Sequence, residues 1–233
     1  MKRLLTPLLA CAMLLASTAW SQEAAIRKNL GERIPQLKQI DEVSKTPISG
    51  LYEIRVNGTE IYYTDAEANY LVQGNLIDTR QKRNLTEERV EKLSAIAFDT
   101  LPFKDAFTIV RGNGARKLAV FEDPNCGYCK RFEKDLQKVN NVTVYMFLYP
   151  ILGPDSTEKS KNIWCAKDKV KAWQDWMVRD VAPAAASCDS AAIARNVELG
   201  RKFKITGTPT LVFADGSRVP GAIGADQVEK RLN

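Results

Sequence analysis

The sequence predicts an α+β chain, with a small N-terminal antiparallel sheet, a linker helix and a larger C-terminal domain in which strands and helices alternate. Three observations carry this. Residues ~40–80 alternate apolar and polar side chains around Asn57-Gly58, the preferred pair for a two-residue hairpin turn. Val90, Leu93, Ile96 and Ala97 then recur at helical spacing. From Lys117 onward a buried-type strand, Leu118-Ala119-Val120-Phe121, leads into a helix that opens on Cys126-Gly127-Tyr128-Cys129.

The first 21 residues stand outside that fold. Lys2 and Arg3 precede an apolar stretch, Leu4 to Ala16, broken only by Thr6 and Pro7. Ala19-Trp20-Ser21 then places small residues at −3 and −1 before Gln22. This is the pattern of a secretory signal peptide. The apolar run is shorter than the ~20 residues a membrane span needs. Leu8-Leu9-Ala10-Cys11 resembles a lipoprotein box, but Cys11 lies mid-way through the apolar stretch and leaves too short a segment before it. No second hydrophobic segment of membrane length follows, so the mature protein is expected to be exported and not membrane-embedded.

The remainder can build a real core, since 45% of the 233 residues are hydrophobic and 27% charged. Loss of Lys2 and Arg3 lowers the formal charge from +6 to +4. The remaining Lys and Arg are scattered among acids with no run of five like charges. That reads as a solvated mixed surface rather than a nucleic-acid footprint. The chain has no histidine, which excludes Ser–His and Cys–His catalysis and His-based metal sites.

Taken in order, Ile26, Leu30, Ile34 and Leu37 predict an N-terminal helix that Pro35 ends or kinks. Tyr52 to Val56 and Ile61 to Thr64 are the arms of the Asn57-Gly58 hairpin. Asp65 to Asn69 makes a second turn, and Tyr70 to Ile77 supplies further strands. So small a sheet needs something to pack or pair against. Residues 78–84 are polar and look like a hinge. Thr86 is the expected N-cap of a connecting helix over 87–98. After the Cys126 helix, with Phe132, Leu136 and Val139, come a strand at Val142–Leu148 and helices over ~156–203. Strands at Thr210–Phe213 and Arg218–Pro220 and a closing helix from Ala225 to Leu232 complete the chain. This is a thioredoxin-like order with a helical insertion.

Removal of Cys11 leaves four cysteines, and an even count in an exported chain suggests two disulfides with three possible pairings. Cys126 and Cys129 carry the sharpest signal. A cysteine at a helix N-terminus meets unpaired N–H groups and the positive end of the helix dipole. Its pKa typically falls from about 8.5 to roughly 3.5–7.5. Lys130 and Arg131 add positive charge nearby. Cys126 is therefore the expected nucleophile and Cys129 the resolving thiol. The alternatives are half a zinc site, disfavoured because Cys165 and Cys188 lack CxxC spacing, and a purely structural bond across a loop too small to stabilise much. No metal or cofactor is expected. Cys165 and Cys188 are left to pair as a staple on the helical insertion, or to act as a second redox relay. Gly207-Thr208-Pro209 before a strand is a further signal, because X–Pro bonds are the common cis peptides.

These residues fit in order the motifs of the DsbC/DsbG family of periplasmic protein-disulfide isomerases, which the chain resembles over nearly its whole mature length. The fits are Phe121-x-Asp123-x-x-Cys126-Gly127-Tyr128-Cys129, Ile163-Trp164-Cys165-Ala166-Lys167-Asp168, Ala182-Pro183 with Cys188-Asp189, Gly207-Thr208-Pro209 and Val219-Pro220-Gly221. Cys-Gly-Tyr-Cys favours the DsbC side. The resemblance implies a V-shaped homodimer with a dimerisation domain over 22–85, a linker helix over 86–105 and a thioredoxin-like catalytic domain over 106–233. It also implies that Cys126 attacks, that Cys129 is its partner and that Gly127, Tyr128, Thr208 and cis-Pro209 support them. Cys165–Cys188 would be a structural disulfide. Misfolded exported proteins would be the substrates and a membrane thiol reductant of the DsbD type the electron donor. Thioredoxins carry a buried acid six residues before the first cysteine; here that position is Val120, and Glu122 is the nearest upstream acid. The competing functions are a dithiol oxidase of the DsbA type and a redox-independent holdase chaperone.

Overall fold

A computed structural model of the chain describes residues 22–37 and 39–233; the expected signal peptide, 1–21 with Cys11, lies outside the described residues. The chain divides between Leu93 and Ser94 into two compact units.

In the first unit a helix, α1 (residues 22–33), gives way at Pro35 to a 3-10 turn, Pro35–Leu37. Ile26, Leu30 and Leu37 are buried. They meet Ile54 and Val56 in one small core. The sheet is antiparallel in the order β1 (Ile40–Lys45), β2 (Tyr52–Val56), β3 (Glu60–Thr64), β4 (Leu71–Val72). Tyr52, Ile54 and Val56 face inward and their neighbours do not, the period-2 pattern of a one-sided sheet. Asn57 and Gly58 both have positive φ (52° and 87°), as a type I′ turn requires. Strand β1 carries no clean alternation, because its register shifts between Ile40 and Glu42.

Residues 78–84 are not irregular. β5 (Ile77–Asp78) pairs with β6 (Arg83–Asn84), and the Asp78 carboxylate accepts from the Arg80 and Gln81 N–H groups at 2.9 Å each. The helix α2 (Leu85–Ser94) begins earlier than expected. The Asn84 side chain, not Thr86, accepts from Glu87 N–H (3.1 Å). Thr86 is buried, its hydroxyl bonded to Tyr63 Oη and accepting from Leu76 N–H (2.8 Å). After Ser94 the chain makes two 3-10 turns, Phe98–Thr100 and Phe103–Asp105, rather than continuing as helix to 105. Pro102, which cannot donate an N–H, separates them.

The second unit is a five-stranded sheet of order β11-β10-β8-β9-β7, built from β7 (Phe107–Arg111), β8 (Arg116–Glu122), β9 (Val142–Leu148), β10 (Thr210–Phe213) and β11 (Arg218–Pro220). Only β8 and β9 run parallel, joined by the crossover helix α3 (Gly127–Leu136). The insertion is three helices, α4 (Pro154–Cys165), α5 (Lys169–Arg179) and α6 (Ala191–Lys202); α7 (Ala225–Leu232) closes the chain. Strand β8 is central and buried from Leu118 to Glu122. Its alternation sorts the core: Leu118 and Val120 pack with Phe132, Leu136, Trp173 and Met177, while Ala119 and Phe121 pack with Phe147, Tyr149 and Val212. Phe121 and Phe147 stack at 4.7 Å.

Cys165, the last residue of α4, is bonded to Cys188 across 23 positions that include α5, with Cα atoms 5.4 Å apart. In the chain-entropy account such a loop is worth roughly 3–4 kcal/mol.

Candidate active site

Cys126 is the extended residue (φ −77°, ψ 117°) before the first turn of α3, and its carbonyl accepts the first helical bond from Lys130 N–H (3.1 Å). The N–H groups of Tyr128 and Cys129 are thus free of intrahelical partners and turn to the Cys126 sulfur. The loop before it is pinned by Asp123. One carboxylate oxygen accepts from Asn125 N–H and Ser156 Oγ (2.8 Å each), the other from Ile151 N–H (2.8 Å) and Leu152 N–H (2.9 Å). The Asp123 carbonyl accepts from Cys126 N–H (3.0 Å). Trp176 adds a clamp: its indole donates to Pro124 O (2.6 Å), and Lys130 Nζ lies 3.8 Å over its ring. The ends of β8 and β9 and the helices α3, α4 and α5 thus meet around one sulfur.

The two thiols differ sharply. Cys126 is 7% exposed and Cys129 fully buried. Hydrogen bonds from the Cys129 thiol, the Thr208 side chain and the Cys129 and Tyr128 N–H groups outweigh burial and bring the Cys126 thiol down to about 5. The leading causes are hydrogen bonds rather than the charges of Lys130 and Arg131. Lys130 is engaged with Asp180 (2.5 Å). Burial and the neighbouring Cys126 and Glu122 push the Cys129 thiol far above its ordinary range. One sulfur is held as thiolate at neutral pH and the other as thiol, the division a nucleophile and its resolving partner need. Alkylation of Cys126 by iodoacetamide, followed by peptide mass, is accordingly expected to be nearly flat from pH 6.5 to 8. It should fall about tenfold per pH unit well below 5, as the thiolate is protonated. A midpoint near 8.5 would contradict this.

Thr208-Pro209 is a cis peptide at the entry to β10. The Thr208 carbonyl oxygen lies 3.2 Å from Cys126 Sγ. Pro209 O accepts from Gly221 N–H (2.8 Å), holding the turn against the β11 end. Gly127 is exposed with open space where a side chain would project, and Tyr128 is 67% exposed, so both sit on the surface beside Cys126. Of the residues singled out in the sequence, Cys126, Cys129, Gly127, Tyr128, Thr208 and Pro209 meet at one place. Cys165 and Cys188 are bonded to one another and take no part in it. No helix among the described residues is long and apolar enough to cross a membrane.

Two acids missing from the expected site lie behind it. Glu122 and Glu133 are completely buried. Glu122 is two residues beyond Val120 on β8 and so turns to the same face as Leu118 and Val120, toward α3. Glu133 is one helical turn after Cys129 on α3, on the stripe of Phe132 and Leu136. The signal in the sequence is a charged residue on an otherwise apolar stripe.

Comparison with known proteins places this geometry. A family described as the disulfide bond isomerase protein N-terminal domain matches residues 17–87, and one described as a thioredoxin-like domain matches residues 103–233. The probable thiol:disulfide interchange protein DsbC of Bordetella parapertussis is 46% identical over 211 residues, 91% of this chain and 74% of that protein. The thiol:disulfide interchange protein DsbC of Escherichia coli K12 is 32% identical, over 87% of this chain and 84% of the other. The crystal structure of a disulfide interchange protein from Neisseria gonorrhoeae is 41% identical with a TM-score of 0.54, covering 57% of this chain and 96% of that one.

Proposed function

The chain belongs to the DsbC family and is a thiol–disulfide oxidoreductase of the isomerase kind, and from that premise we propose that Cys126 is its attacking thiol and Cys129 its resolving thiol. The observation that carries the assignment is the asymmetry of the pair: a thiolate at a helix N-terminus above a fully buried thiol.

The Cys126 thiolate attacks one sulfur of a non-native substrate disulfide. A Cys126–substrate bond forms, the substrate bond breaks, and the other substrate sulfur leaves as a thiolate. A second substrate thiolate then attacks the substrate sulfur of the mixed disulfide. That forms a rearranged bond and returns Cys126 as a thiolate, with no net electron transfer. When no substrate thiol is placed to do so, Cys129 attacks Cys126 Sγ instead, and the substrate departs reduced while 126–129 becomes a disulfide. Thr208 supports the thiolate through its side-chain hydrogen bond, and Pro209 follows it in the cis peptide that enters β10. Gly127 and Tyr128 leave the approach to Cys126 open.

The working context follows the family reading. The protein acts in the periplasm, after removal of residues 1–21, as a homodimer through the sheet domain of residues 22–85. Its substrates are misfolded exported proteins, and a membrane reductant of the DsbD type returns the oxidised pair to thiols. The exposed Tyr70, Val72 and Ile77 around β4 and β5 give the first unit apolar surface for a second copy. Scrambled ribonuclease incubated with a catalytic amount of the reduced protein tests the function. Recovery of ribonuclease activity without net thiol consumption is expected of an isomerase. Activity only toward reduced, unfolded ribonuclease by the oxidised protein would mark an oxidase.

A further inference from the structure

The resolving step has a chemical difficulty. Cys129 must lose its proton to attack Cys126 Sγ, yet it is fully buried, and against that burial and the neighbouring Cys126 and Glu122 only a backbone hydrogen bond at Asp123 favours its thiolate. Two buried carboxyl groups stand directly behind it. Burial, the facing Glu133 and the nearby Cys126 raise the Glu122 carboxyl well above the carboxylate range, while its contact with Cys129 opposes this. Burial raises Glu133 as well, opposed by the Trp173 indole, by Glu122 and by the Arg111 guanidinium. None of the four carboxyl oxygens makes an ordinary hydrogen bond. Arg111 itself is held by one bond, from Nη1 to the Leu136 carbonyl (2.5 Å), and its Nε and Nη2 are buried without partners. The groups facing the pair are therefore Cys126 and Cys129 from the start of α3, Arg111 from β7 and Trp173 from α5. Two like charges are disfavoured at such a site, and of the two carboxyls it is Glu133 whose charge the Arg111 guanidinium favours.

We propose that Glu122 and Glu133 form a buried proton relay that receives the Cys129 proton in the resolving step. The proton of the Cys129 thiol passes to Glu122, whose own proton moves on to Glu133. The Cys129 electron pair bonds to Cys126 Sγ, the bond from Cys126 to the substrate sulfur breaks, and the substrate leaves as a thiolate that takes a proton from water. The two enzyme sulfurs are oxidised and the substrate sulfur reduced. The relay returns its proton to solvent once the pair has closed. The carboxyl that meets Cys129 comes from position 122, two residues nearer the cysteines than Val120, with a second acid from α3 behind it.

This inference rests on the assignment of Cys126 and Cys129 above, and one experiment separates the two. The reduced full-length protein is mixed in stopped flow with one equivalent of 5,5′-dithiobis(2-nitrobenzoate). The attack of Cys126 releases one thionitrobenzoate, and displacement by Cys129 releases a second, which leaves without needing a proton. Release of two thionitrobenzoates per native protein and one per Cys129→Ala is expected, in two resolved phases for the native protein; release of only one by the native protein would overturn the thiol roles and the relay together. In Glu122→Gln the ratio of second-phase to first-phase rate should fall about a hundredfold at pH 7, and in Glu133→Gln in the same direction. The second phase of each variant should rise about tenfold per pH unit as hydroxide replaces the relay, more steeply than in the native protein. In D2O the native second phase should slow by more than the first, a readout that needs no variant to fold. Two normal phases whose ratio, pH slope and D2O effect are unmoved would overturn the relay and leave the thiol roles standing.

Discussion

Cys126→Ala is expected to lower the rate of scrambled-ribonuclease isomerisation at least about a thousandfold, to the uncatalysed background. That is the scale of losing an activated nucleophile. Nothing nearby can substitute. Cys129 is fully buried with its thiol held protonated, and Cys165 and Cys188 are bonded to each other. The variant should fold normally, because Cys126 is an extended residue before α3 and its truncation leaves the backbone bond from Lys130 N–H to its carbonyl in place. Cys129→Ala behaves differently. Attack by Cys126 survives, but no internal thiol can release a stalled substrate, so a mixed disulfide should accumulate and be visible on a non-reducing gel. Full isomerase turnover by Cys126→Ala would sink the assignment.

Asp123→Ala is expected to cost about 4 kcal/mol in urea-induced unfolding, the largest stability loss of any single change near the site. The carboxylate accepts from three backbone N–H groups and one hydroxyl, which join the Cys126 loop, the segment after β9 and the start of α4. Truncation leaves all four donors without their acceptor, at about 1–3 kcal/mol for each that stays dry. Ile151 and Leu152 are partly exposed, so water satisfies part of the loss and the sum stays below the upper limit. The same change should slow alkylation of Cys126 at pH 6, because the loop no longer presents its sulfur to the Tyr128 and Cys129 N–H groups. Asp123→Asn keeps the volume but turns an amide N–H₂ toward donors, and should recover only part of the stability. A loss below 1 kcal/mol would show that the loop is held by Trp176 and Asn125 instead.

Much of this was legible in the sequence because the physics was local. The Asn57-Gly58 turn, the alternating β2 and the buried run of β8 are short patterns with one structural solution. The cysteine pair and Thr208-Pro209 carry their chemistry in the motif itself. What escaped depended on distant partners. The bulge in β1 erases its alternation, and β7 has only two buried side chains, Phe107 and Ile109, to mark it. Thr86 looked like a cap because threonine often is one, but Tyr63 and Leu76 claim its hydroxyl and Asn84 takes the role. The polar 78–84 segment became a hairpin through Asp78, a purely side-chain device. The sequence offers Glu122 as the nearest upstream acid, but its partner Glu133 faces it only once α3 is laid on β8. Lys130, expected to act on the thiolate by charge, is instead spent on Asp180 and Trp176.

The bond between Cys165 and Cys188 makes the protein a product of the chemistry it performs. Before it can rearrange another chain, the four cysteines among its described residues must be sorted so that one pair is oxidised for good and the other is left free. Of the three ways to pair them, the two that cross would bury the working sulfurs in permanent bonds. A chain made in a reducing cytosol would arrive with Cys165 and Cys188 as thiols and with a looser helical insertion. Its specific activity should therefore depend on where it was folded as well as on its sequence.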